Sequence, residues 1–244
     1  MVRKHGYKII GVILVGYALI WGMLMQNIPY LPILHQTIRN LYYHVPMWFS
    51  MTVMMFVSVY YAIRYLKTEN KLYDIKTVAS AEVGVLLGIL GLLTGSLWGR
   101  YTWGTWWSGD IKLNMSLVAV FIYLAYFILR NSIEDEKKQA KISASYNIFA
   151  AAALIPLLFI IPRMTNSLHP GADDNPAFST YNDSLNANMR PVFYSAVIGF
   201  ILLSWWLFEL KSKIMFLQHK LDLKAEKQTQ QSVAVKTEES TDVR

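Results

Sequence analysis

Four of the chain's eight tryptophans, Trp98, Trp103, Trp106 and Trp107, fall within the segment LWGRYTWGTWWSGDIKL. An interfacial belt, with indoles at headgroup level and their N–H groups toward water, is the ordinary reason for tryptophan at the end of an apolar run. A belt does not account for the interleaved Gly99, Gly104 and Gly109, which permit close backbone approach, or for the single carboxylate of Asp110. A platform for a flat apolar ligand with a polar edge accounts for both, because indole faces stack on such a ligand and the glycines admit it closely.

The five histidines separate by position. His5 and His219 lie near the two ends of the chain, where a solvated surface role is the default. His44 opens an apolar run in LYYHVPMWF, and His169 stands in NSLHPG just beyond another run. Either alone reads as a snorkelling interfacial group. Together with the aromatic segment they suggest two imidazoles meeting a tetrapyrrole from opposite sides, an axial pair that needs no cysteine. His35 is a weaker third candidate, since no span end fixes it.

Haem also carries two propionates, which need cations. Arg100 and Lys112 bracket the tryptophan segment, while Arg163 and Arg190 bracket the loop with His169. An arginine can fork onto a carboxylate, although each of these four also serves as a headgroup anchor. Asp110 can orient a histidine N–H, pair with a cation, or be a solvated turn residue.

The elements that must position these residues follow from composition. The chain has 244 residues, 54% apolar and 16% charged, which is the profile of a membrane protein. It has no cysteine, which excludes a disulfide, a thiolate metal site, an iron–sulfur cluster and a covalently attached c-type haem. The net charge of +7 is spread between apolar runs, so nucleic acid is not an expected partner. Membrane lipid is.

Six runs are long enough to cross a bilayer as helices: Ile9 to Met25, Val45 to Ile63, Val78 to Gly99, Leu113 to Leu129, Ile142 to Pro162 and Pro191 to Phe208. An all-α bundle of six transmembrane helices is expected, because lipid leaves no partner for a sheet edge. No small-residue cleavage site follows the first run in Gln26 to Tyr30, so it reads as an uncleaved span. Lys and Arg concentrate in the head, residues 64–77, residues 130–141 and the tail, which predicts cytoplasmic termini. The segments at about 26–44, 100–112 and 163–190 then face outward, to the periplasm in a bacterial-type cell, and they carry the residues singled out above.

Residues 1–210 thus form one membrane domain, and 211–244 a cytoplasmic tail that begins amphipathic and is expected to end disordered. Gly84, Gly88, Gly91 and Gly95 share one face of the third span and read as close helix packing. Glu82 in the same span is expected to snorkel to the nearby interface. Asp173, Asp174 and Asp183 lack the spacing of a calcium loop.

At this point the outward blocks resemble the CcmC haem-handling proteins of cytochrome c maturation, within the group that includes CcmF and CcsA. IRNLYYHVPMWFSM is similar to the family's first histidine block, TGSLWGRYTWGTWWSGDIKL to its tryptophan-rich WWD segment, and NSLHPG to its second histidine block. NANMRPVF, Asn186 to Phe193, resembles the approach to its last span, and the likeness covers about residues 5–215. The family pattern reads WWxWD with Arg two residues after the Asp. This chain instead has Gly109 before Asp110 and then Lys112, so one indole is missing and a planar fork is replaced by a point charge.

The resemblance implies that His44 and His169 ligate the iron of a non-covalent haem b. It further implies that Trp98, Trp103, Trp106, Trp107 and Asp110 form the platform. On this likeness the protein is not an enzyme: it presents haem to a CcmE-like chaperone, working with ABC-type CcmA- and CcmB-like subunits and a small CcmD-like membrane protein in the bacterial inner membrane. Three other readings stand beside it. They are a haem exporter conducting through its spans, a CcsA-type synthase component, and a transmembrane electron carrier. The last requires histidine pairs in mid-bilayer, where the spans have none.

Overall fold

The computed structural model describes residues 2–24, 28, 34–165, 167–169, 185 and 187–242, with side chains from 5 to 232. Six helices run through it: α1 (Val2–Leu24), α2 (His44–Thr68), α3 (Lys71–Trp103), α4 (Ile111–Asn131), α5 (Glu136–Ile155) and α6 (Met189–Asp242). Six helical stretches are long and apolar enough to cross a membrane, so this is a multi-pass membrane protein. No strand occurs among the described residues. Five of the expected runs lie wholly within described helical segments, and the first reaches Leu24, since Met25 lies outside the described residues.

Local chemistry starts and stops these helices. Asn70, Asp110 and Asp135 are N-caps whose side chains accept from the main-chain N–H groups of Leu72, Lys112 and Lys138. Glu69 takes a left-handed conformation (φ 51°) and its N–H returns to the Tyr65 carbonyl, so α2 turns into α3 through two residues. α3 ends at Gly104, whose φ of 76° suits glycine. α5 loosens at Pro156 into a π turn (Pro156–Ile160) and a 3-10 turn (Ile161–Arg163), because proline supplies no N–H to continue the ladder. A 3-10 segment, His35–Tyr42, leads into α2.

The closest pairing is α2 with α3. Four α3 glycines face α2 side chains: a Cβ at Gly84 would lie 2.6 Å from Met55, at Gly88 2.8 Å from Met51, at Gly91 2.7 Å from Trp48 and at Gly95 2.8 Å from His44. The large residues of α2 and the glycines of α3 repeat at the same spacing in opposite directions, so the two helices interlock over three turns. The expected close packing is observed, and the last two notches hold residues of the site described below.

At the opposite end of the bundle charges are paired. Asp74 of α3 is buried and takes a two-pronged contact from Arg130 of α4 at 2.8 Å to each oxygen, with Lys71 at 3.1 Å from Oδ2. Lys71 also contacts Glu136. Glu82 meets Lys211 of α6 at 2.6 Å, both partly exposed, so the intramembrane acid finds a cation where the span leaves the bundle. Beyond Phe208 helix α6 continues to Asp242, and from Leu221 to Ser232 every residue is exposed.

Candidate ligand site at one end of the bundle

His44 opens α2, and its buried ring sits against Gly95. Its Nδ1 lies 2.9 Å from Thr94 Oγ1. The Thr94 hydroxyl donates back to the Leu90 carbonyl at 2.8 Å, one helical turn earlier, so its oxygen is the acceptor for an Nδ1 proton. Nε2 is then the nitrogen with a free lone pair.

Asp110 organises the second imidazole. As N-cap of α4 its Oδ1 accepts from Lys112 N–H at 2.9 Å. The same carboxylate accepts from His169 Nδ1 at 2.9 Å, from the Ser167 hydroxyl at 2.9 and 3.1 Å, and from Leu168 N–H at 2.6 Å. Burial alone would raise the Asp110 pKa. The His169 imidazole, then the Leu168 N–H and Ser167 hydroxyl, outweigh it and hold the carboxyl well below the usual range. Of the two roles the sequence left open beside a solvated turn, Asp110 takes that of orienting a histidine N–H.

The aromatic groups connect the two histidines. Trp98 lies 6.1 Å from His44 and 5.5 Å from His169 between ring centroids, and Trp103 lies 4.8 Å from His169 and 5.4 Å from Trp98. A cavity of about 220 Å³ opens beside them, lined by His44, Trp48, Trp98, Lys112, Arg163 and His169. Below these it is apolar, reaching Leu92 of α3 and the widened end of α5 at Leu158 and Phe159. The Trp98 indole N–H is buried with no hydrogen-bond partner among the described residues, an orphaned donor that an acceptor on a ligand would satisfy. Two Nε2 lone pairs, the indoles of Trp48 and Trp98, an apolar floor and two cations are the donor set that haem requires. The volume is below the roughly 300–1,000 Å³ of pockets that enclose a small molecule, so a ligand of that size would be gripped along part of its surface.

The remaining candidates lie elsewhere. Trp106 and Trp107 are exposed and line no part of this cavity; the Trp107 N–H reaches Asn114 at 3.0 Å, and the Trp106 carbonyl accepts from Ser96. Arg100 is exposed and bonds the Gly104 carbonyl, closing the end of α3. Arg190 bonds the Leu185 carbonyl at 2.9 Å. His35 is exposed at the start of its 3-10 segment, with φ at 42°. Asp173, Asp174, Asp183, Asn186, and the Pro170 and Gly171 of the second histidine block lie outside the described residues, as do Gln26, Asn27, Pro29 and Tyr30.

Sequence reasoning passed over Trp48, Thr94 and Ser167. Trp48 follows His44 by one helical turn, so a shared face was its available signal. Thr94 adjoins the glycine stripe, but a hydroxyl there carries no mark of function. Ser167 lies two residues before His169, a spacing at which a hydroxyl readily meets a main-chain N–H, as it does here at 3.1 Å. Gly109 has φ at 72°, and a Cβ placed there would meet nothing within 4 Å, so the departure from tryptophan goes with a left-handed turn into Asp110 and open space beside it.

The family model described as "Heme exporter protein C" matches residues 4–227. The chain is 26% identical over 206 residues to the Heme exporter protein C of Haemophilus influenzae, covering 82% of this chain and 79% of that one. Against the Escherichia coli K12 protein of the same name it is 27% identical over 173 residues, 68% of this chain and 65% of the relative, just under two thirds of that protein's length. A protein of Arabidopsis thaliana named "Putative cytochrome c biosynthesis ccmC-like mitochondrial protein" is 29% identical over 182 residues, 73% of this chain and 66% of that one.

Proposed function

The chain belongs to the Heme exporter protein C (CcmC) family, membrane proteins that handle haem in cytochrome c maturation, and from that premise we propose that it holds haem b without a covalent bond and delivers it to a CcmE-like chaperone. The observation that carries this reading is the pairing of two histidines, each with Nδ1 occupied, on one aromatic cavity at one end of the bundle. When bound, haem supplies an iron with two axial positions and two propionates. His44 and His169 would take the first, and Lys112 and Arg163 stand at the cavity for the second.

In this reading the chain's own part is to bind, orient and partly shield. Trp98 and Trp103 fix the imidazole planes by edge and tilted contacts, and Asp110 holds His169 at its N–H. The site faces the periplasm across the inner membrane, with both termini cytoplasmic, and CcmA-, CcmB- and CcmD-like partners act on the loaded chaperone. Delivery rather than catalysis suits the cavity, because the part of a haem left outside it stays open to a second protein. Conduction between the spans is less favoured: below the cavity the interior is filled by Met51, Met54, Met55 and Val120, all buried.

The test is the visible spectrum of detergent-purified protein from haem-replete cells, beside His44→Ala and His169→Ala. A low-spin two-imidazole spectrum in the wild type, lost in both variants, is expected. A wild type that is colourless and takes up no added haem would overturn the site. Co-purification of a CcmE-like partner only with the haem-loaded form would test delivery.

A further inference from the structure

The two imidazoles are backed by different chemistry. His169 gives its Nδ1 proton to the Asp110 carboxylate at 2.9 Å, and that carboxylate is held in turn by Ser167, Leu168 N–H and Lys112 N–H. His44 gives its Nδ1 proton to a neutral oxygen, Thr94 Oγ1, whose own proton is shared between the Leu90 and Gly91 carbonyls at 2.8 and 3.1 Å. A hydrogen bond to a charged acceptor is about twice as strong as one to a neutral acceptor. A carboxylate behind an imidazole also pushes electron density toward Nε2 and raises its basicity as a ligand, an effect that a hydroxyl supplies only weakly.

The surroundings separate the rings in the same sense. The segment 167–169 is tied to the N-terminus of α4 through one carboxylate, so His169 and the capped helix are a single hydrogen-bonded unit. His44 is the first residue of α2, held only by neutral partners, the Thr94 hydroxyl and the Gly91 main chain, and by van der Waals contact with Gly95, Trp48 and Trp98.

Resting on the haem-delivery reading, we infer that the two ligands are unequal by construction: Asp110 is a positioning residue that makes His169 the retained ligand, and His44 is the one surrendered first. When an acceptor approaches, the Fe–Nε2 bond to His44 breaks and one Fe–N bond to the incoming imidazole forms. The iron keeps its oxidation state, no proton moves, and haem stays anchored through His169 until the second bond is exchanged. The partner this geometry fits is a protein presenting a neutral imidazole on the His44 side of the cavity. It meets a five-coordinate haem and never has to capture a free one.

The measurement uses the full-length, haem-loaded protein in detergent. His44→Gly should retain most of its haem as a high-spin species and return to low spin on added imidazole, while His169→Gly should lose haem at least several-fold more completely. Asp110→Asn should speed haem transfer to excess apomyoglobin about tenfold or more and move the reduction midpoint to a more positive value. Thr94→Val should change the transfer rate by less than about twofold and move the midpoint much less than Asp110→Asn does. Because Asp110 also caps α4, Ser167→Ala serves as a second variant that loosens the same segment and leaves the carboxylate in place. It should move the midpoint much less than Asp110→Asn does, since it removes one neutral donor from the carboxylate and not its charge.

Equal haem loss from the two glycine variants, or a midpoint that moves as far in Thr94→Val as in Asp110→Asn, would overturn the order of release while the two-imidazole site stood. A wild type without a two-imidazole spectrum would overturn the delivery reading itself, so the two failures are distinct.

Discussion

Asp74 and Asp110 are both buried carboxylates, one at each end of the bundle, and they differ in what surrounds them. Asp74 faces Arg130 and Lys71, so its charge is neutralised by two fixed cations and its oxygens are filled by a two-pronged contact. Asp110 faces an imidazole, a hydroxyl and main-chain N–H groups, which stabilise the negative charge by hydrogen bonds. The first arrangement joins α3 to α4 and leaves no group over. The second leaves a histidine whose far nitrogen is free, next to a cavity. An ion pair closes one end of the bundle, and a hydrogen-bonded carboxylate keeps the other end chemically available.

The sharpest way to break this comparison is to remove a partner at the closed end. Arg130→Met should destabilise the protein by about 3–5 kcal/mol, since it takes the two-pronged partner from a buried carboxylate and leaves only Lys71 beside it, and should lower the detergent melting temperature without altering the haem spectrum of the folded fraction. Asp74→Leu combined with Arg130→Met should recover much of that loss. At the open end Asp110→Ala should cost about 2–4 kcal/mol, from a lost cap and unsatisfied donors, and should also remove the low-spin spectrum. An Asp110→Ala variant with a normal spectrum would make the two ends alike.

Acid should discriminate further. The folded pKa of Asp110 lies below its unfolded value, so its contribution is present above the ordinary carboxylate range and is lost as pH falls through the folded value. Haem-free protein melted from pH 7 to about pH 5 should lose nothing from this group, whose contribution should fall only in stronger acid. Hydrogen exchange at residues 111–114 would report that loss, and early loosening near pH 6 would contradict it.

Smaller steps test the interlock between α2 and α3. Gly95→Ala should push on His44 Cε1, cost about 1–3 kcal/mol and disturb the low-spin spectrum. Gly84→Ala meets the flexible end of Met55 and should cost less than about 1 kcal/mol with the spectrum unchanged. At the bottom of the scale, Glu82→Gln breaks a partly exposed pair and should shift stability by less than about 1 kcal/mol.

Much of the fold was legible in the sequence, because apolar length and charge placement are properties of the chain alone. The six spans, the packing stripe from Gly84 to Gly95 and the convergence of His44, Trp98, Trp103, Asp110 and His169 at one end follow from counting helical turns. Trp106 and Trp107 show where counting stops: four tryptophans in one segment read as one platform, yet the turn after Gly104 carries these two away from the cavity. Arg100 likewise turns to a main-chain carbonyl in its own helix end.

By itself the sequence determined that this is a membrane bundle with its chemistry at one end, since hydrophobic length, the lack of cysteine and the placement of histidine depend on no contact between distant residues. Only the tertiary structure decided that Asp110 reaches His169 rather than a cation, that Thr94 backs His44, and that Trp98 touches both rings. Those hydrogen-bonded pairings join residues 50 and 59 positions apart, and hydrogen bonds are satisfied by whichever partner packing brings within about 3 Å. The carboxylate behind one imidazole and the hydroxyl behind the other are consequences of how α2, α3 and α4 dock.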